Sequence, residues 1–131
     1  MDLLKHLSSP ISPTFSEAIR IYTRAGSWIF ISGQVGVQLP PEKGSDTFEQ
    51  EVRTTFERIR FALQTRRQHE PCCQHQDLSD RPRSLRCVLT HPRRFFPKEP
   101  PTSTAVQVAG LLLNARIEID AVAFLPRRPA A

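Results

Sequence analysis

Apolar and polar positions alternate loosely along Phe15-Ser16-Glu17-Ala18-Ile19-Arg20-Ile21-Tyr22, which predicts a half-buried strand. Arg24-Ala25-Gly26-Ser27 predicts a turn. Trp28 to Ser32 is aromatic and β-branched and predicts a strand buried on both faces; Gly33 follows, then Gln34-Val35-Gly36-Val37. A short Gly-containing connection makes the two strands a hairpin. Pro40-Pro41-Glu42-Lys43-Gly44 predicts a loop.

The period then changes from two to three-and-a-half. Phe48, Val52, Phe56, Ile59 and Leu63 recur at three and four residues and share one helical face, with Glu49, Arg53, Glu57 and Arg60 opposite. Glu49 with Arg53, and Arg53 with Glu57, are spaced as helix ion pairs. Ser45-Asp46-Thr47 offers helix N-caps, and Asp46 with Glu49 is spaced as a capping box, so the helix is predicted over about 47–64. Phe95 to Pro101 is a proline-stopped linker. Thr102 to Ala109 alternates, with Thr104, Val106 and Val108 on one side. In Arg116 to Phe124, Ile117, Ile119, Ala121 and Ala123 share one face, and Glu118, Asp120, Val122 and Phe124 the other. The order β-β-α-(unassigned)-β-β predicts an α+β domain whose sheet is covered on one face by helix.

Composition changes this picture in one place. The 131 residues suit a single domain, 1–131. A charged fraction of 24% and a hydrophobic fraction of 39% are ordinary for a globular chain. The net charge of +5 is uneven: residues 65–94 hold seven Arg against Glu70, Asp77 and Asp80. The same segment holds all three Cys and three of the four His, and no Gly, Ala, Ile or aromatic residue. Its sizeable aliphatics are Leu78, Leu85, Val88 and Leu89, too few for an interior strand, so an irregular segment is expected there. No apolar run approaches the ~20 residues of a membrane span. The first residues lack the basic start, apolar stretch and cleavage site of a secretory signal, which makes the cytoplasm the expected location and a membrane partner unexpected. GxGxxG, P-loop, GxSxG and HExxH patterns are absent.

Five blocks, in order, resemble the RidA family (reactive intermediate deaminase A, also YjgF or L-PSP). They are Phe15-Ser16-Glu17-Ala18-Ile19, Ile29-Phe30-Ile31-Ser32-Gly33-Gln34, the helix beginning Phe48-Glu49-Gln50-Glu51, Pro101 to Val108, and Arg116 to Ala123. Together they span about 100 residues. The resemblance implies a chorismate-mutase-like fold, with a mixed β-sheet packed on one face by helix. It also implies a homotrimer with sites between subunits and hydrolysis of enamines and imines to 2-oxo acids and ammonia, without metal or organic cofactor. Ser32 and Gly33 match positions that line the substrate pocket. Glu118 matches the carboxylate that positions the attacking water, a role that requires a fixed acceptor near neutral pH. Phe15 stands where many members have Tyr, and Ala105 lies on the matching pocket strand. Ser103 stands where deaminating members carry an Arg that holds the substrate carboxylate; a hydroxyl offers no bidentate, charged contact.

Residues 65–94 match none of the family's blocks. Arg, Pro, His, Gln and Cys are what GC-rich coding DNA yields in a wrong frame. Codons chosen for residues 74–81 and read one base later give Asn-Ile-Lys-Thr-Tyr-Leu-Thr, restoring the missing family strand. This suggests a one-base frameshift near Gln64, compensated near Arg94 or Phe95. A rival reading is a zinc site built from Cys72, His75, Cys87 and His91 at finger-like spacing, with the arginines serving nucleic acid. No apolar helix lies between those pairs, so the zinc reading ranks below the frameshift and a nucleic-acid partner is not the main expectation. The function classes left open are an imine/enamine hydrolase acting on a small-molecule substrate, weakened or altered at Ser103; a non-catalytic trimeric ligand binder; and a basic zinc- or RNA-binding variant.

Overall fold

The computed structural model describes residues 3–37, 47–63, 72–79 and 95–127. Strands β1 (Leu4–Ser8), β2 (Ser16–Tyr22) and β3 (Gly26–Val35) precede helix α1 (Phe48–Leu63). Strands β4 (Cys72–Ser79), β5 (Thr102–Gln107) and β6 (Ile117–Pro126) follow, with a 3-10 turn at Leu112–Asn114 between the last two. The six strands form one sheet in the order β1-β2-β3-β6-β4-β5. All pairs are antiparallel except the parallel pair β4–β5, so the sheet is mixed, as expected.

One face of the sheet carries α1. Ala18, Ile29, Ile31, Ile117, Ile119, Ala121 and Ala123 point to it and meet Val52, Phe56, Ile59 and Leu63 from the helix. The period-two and period-three-and-a-half patterns of the sequence therefore meet in one core. The helix starts one residue later than its sequence signal. Thr47 caps it: the Gln50 backbone N–H donates to Thr47 Oγ1 at 3.2 Å, and the Thr47 N–H donates to Gln50 Oε1 at 2.7 Å, while Asp46 lies outside the described residues.

Two expectations are corrected. Trp28 and Phe30 lie on the face without the helix and are each 44% exposed, so β3 is buried on one face only. A single helix covers one side of a sheet, and strict alternation leaves the odd set outside. Residues 72–79 run as β4, between β6 and β5, where an irregular segment was expected. Ladder hydrogen bonds come from the backbone of any residue but proline, and Cys72–Ser79 contains none. The rest of 65–94 lies outside the described residues. Strand β1 was not expected: Leu4-Lys5-His6-Leu7-Ser8 pairs with β2 at the sheet edge, and most of its side chains are exposed.

Candidate functional site

The family-like Ser-Gly-Gln stretch is a β-bulge. Ile31 pairs with Ala121 and Gln34 with Ile119, so Ser32 and Gly33 together oppose Asp120. The extra residue reverses the alternation. Gln34 turns to the helix side and is 5% exposed, while Ser32 and Gly33 stay on the helix-free side.

Glu118 crosses above this bulge. A Cβ on Gly33 would fall on Glu118 Oε1 and stand 3.0 Å from its Cδ, so the carboxylate rests directly against the glycine. The start of β6 is held from the helix. Glu51, 2% exposed, accepts the Arg116 backbone N–H at 2.7 Å with Oε1 and Arg116 Nε at 2.6 Å with Oε2. The Arg116 guanidinium also stacks over the Phe48 ring at 5.6 Å. Glu118 therefore stands two residues beyond a clamped backbone. The sequence places Glu51 on neither helix face; its only signal is a carboxylate in the first helical turn.

Ser32 is committed to the protein: its hydroxyl donates to the Ser16 carbonyl at 2.6 Å, leaving only acceptor capacity for a ligand. The Ser16 hydroxyl is hydrogen-bonded to His6 Nδ1 at 2.8 Å. Ser32, Gly33 and Glu118 are gathered on the helix-free side of the sheet, and Phe15, 48% exposed, immediately precedes Ser16 at the start of β2. His6 belongs to this group and carries no sequence signal beyond its residue type.

Ser103 and Ala105 do not join them. Register aligns Ser103 with His75 and Ala121, and Ala105 with Asp77 and Ile119, which places both on the helix-bearing side. Four strand spacings separate β2 from β5, roughly 19 Å. Phe15 and Ser103 of one chain therefore cannot contact one small molecule.

Of the finger-like zinc set, Cys72 and His75 lie in β4, where register pairs them with Phe124 and Ala121. Cys87 and His91 lie outside the described residues. Among the described residues no three His, Cys, Asp or Glu side chains gather as a metal site, and no helix is long and apolar enough to cross a membrane.

No family model and no curated protein sequence matches the chain. Solved structures do match. Yeast Mmf1 superposes with a TM-score of 0.78 at 16% identity, covering 92% of this chain and 98% of that one. Rv2704 from Mycobacterium tuberculosis, a member of the YjgF/YER057c/UK114 family, has a TM-score of 0.76 at 21% identity, covering 93% and 99%. Protein YjgH has a TM-score of 0.71 at 25% identity, covering 95% and 93%. The fold is thus that of the YjgF/YER057c/UK114 family, the family whose sequence blocks the chain resembles.

Proposed function

We propose that this chain is a RidA-type imine/enamine hydrolase, working as a homotrimer on substrates that its Ser103 binds more weakly than an Arg would. The observation that carries the reading is the Glu118 carboxylate seated over the Gly33 bulge, on a strand whose start Glu51 clamps at Arg116. A carboxylate so placed holds a water for attack on an imine carbon and accepts a proton from it. That proton passes to the imine nitrogen as the C–O bond forms, and the remaining hydroxyl proton follows as the C–N bond breaks and ammonia leaves. The chemistry calls for no metal or organic cofactor.

The oligomer has its own support. On the helix-free side, Ile21, Trp28 and Phe124 lie side by side across three strands, as do Ile19, Phe30 and Val122. Trp28 and Phe124 pack with ring centroids 4.9 Å apart, yet Trp28 remains 44% exposed. A contiguous apolar band of this kind marks an association surface. A neighbouring copy that covers it can also bring Ser103 and Ala105 to the Glu118 side.

The test is kinetic, on protein whose mass in solution is that of a trimer. The parent is expected to hydrolyse 2-iminobutanoate slowly, and Ser103→Arg to raise kcat/KM by about two to four orders of magnitude. That follows from two charge-assisted hydrogen bonds at roughly 1.5–3 kcal/mol each. Glu118→Ala is expected to abolish the gain. A fast parent unaffected by Ser103→Arg would place carboxylate binding elsewhere. A trimeric parent and Ser103→Arg variant that are both inert would favour the non-catalytic ligand binder.

A further inference from the structure

A cavity opens on the helix side of the sheet, away from Glu118. It measures about 550 Å³, within the range of small-molecule sites. It runs between β1, the end of β3 and the outer flank of α1. Leu7, Ile11, Val35, Phe61 and Leu113 form its apolar wall. Phe61 is 66% exposed and Ile11 59%, although both line this concave surface. Leu113 is held in the left-handed region at φ 61°, a conformation that costs an L-residue free energy and persists only where the surroundings impose it.

Gln34 also lines this cavity, turned in by the bulge. It is 5% exposed, and its Nε2 donates to the Ser32 carbonyl at 3.0 Å. A carbonyl can only accept, so the amide orientation is set and Oε1 is the remaining atom. Among the described residues Oε1 has no donor. A buried acceptor without a partner costs roughly 1–3 kcal/mol, which a ligand donor in the cavity would recover.

Charge narrows the class of that donor. Glu17 and Glu57 line the cavity, and among the described residues neither pairs with a cation. The cation present, Arg58, is turned to the backbone: its guanidinium donates to the carbonyls of Val35 and Val37. The site therefore combines an apolar wall, a buried acceptor and two uncommitted carboxylates.

We propose that this groove binds a small primary amine in its ammonium form, with the hydrocarbon tail against Phe61, Ile11 and Leu113 and the ammonium donating to Gln34 Oε1. The site is independent of the imine-hydrolase reading, because it lies on the other face of the sheet and shares no residue with the Glu118 group.

The test is calorimetric titration of the full chain with hexylamine, hexanol and hexanoate at pH 7, repeated on Phe61→Ala, Glu57→Gln and Gln34→Met. Hexylamine is expected to bind at least tenfold more tightly than hexanoate, since the anion meets two carboxylates while the Arg58 guanidinium is engaged by the Val35 and Val37 carbonyls. Phe61→Ala is expected to weaken hexylamine about fivefold or more. Glu57→Gln is expected to cost about threefold, in line with an exposed ion pair. Both residues are exposed on α1, so these variants test the groove even if Gln34→Met fails to fold. Hexanoate binding as well as hexylamine, absence of saturable hexylamine binding, or hexylamine affinity unchanged by Phe61→Ala would each overturn the proposal.

Discussion

The sheet has two halves that hold together by different means. In β3 and β6 every second side chain is turned to the helix side, β2 adds Ala18, and Ile117, Ile119 and Ala123 are fully buried. In β4 and β5 the ladder is just as regular, six consecutive pairs in parallel, but all six residues of β5 are exposed. On the core side of β4, register sets Cys73, His75, Asp77 and Ser79 beside Ala123, Ala121, Ile119 and Ile117. Backbone pairing places a strand; side-chain burial is what makes the placement stable. The first half has both, whereas β5 has the ladder without the burial.

The largest expected effect tests the packed half. Ile117→Ala removes a fully buried side chain beneath α1 and is expected to cost about 2–5 kcal/mol, read by urea unfolding. A cost under ~1 kcal/mol would show that the two halves do not differ in packing. Next comes the clamp: Glu51→Ala leaves the Arg116 N–H and guanidinium without their acceptor and is expected to cost about 3 kcal/mol, with Glu51→Gln intermediate because it still accepts the N–H.

A gain is expected in the other half. Asp77→Val at a core-side register position of β4 is expected to raise stability by about 1 kcal/mol or more, since it replaces a carboxylate with a β-branched residue suited to an interior strand. Loss of stability would mean that this segment is adapted as it stands. The coding DNA carries the same question: an uninterrupted frame shifted by one base from codon 64 to codon 94 supports the frameshift, and a stop codon in that frame eliminates it. The smallest effect is expected at the edge, where Val106→Ser on exposed β5 should stay within about 0.5 kcal/mol.

How much of the candidate site was legible follows from the same division. Ser32, Gly33 and Glu118 could be read because they sit in strands whose neighbours announce their faces. Ser103 and Ala105 could be read as a strand, but their side of the sheet depends on β4, whose composition gives no face at all. His6 and Glu51 act through partners 10 and 65 residues away in sequence, and no local pattern encodes such contacts.

The sequence by itself determined the helix, the β2–β3 hairpin and the two faces of β6, because each is a periodicity carried by neighbouring residues. Tertiary structure alone decided that Trp28 and Phe30 face outward, that the Ser32–Gly33 bulge turns Gln34 inward, and that Glu118 rests on Gly33. It also decided that a polar stretch runs as an interior strand. These outcomes depend on which strand lies alongside which. That pairing is set by hydrogen bonds between residues far apart in the chain, and a hydrogen-bonding backbone is common to every residue except proline.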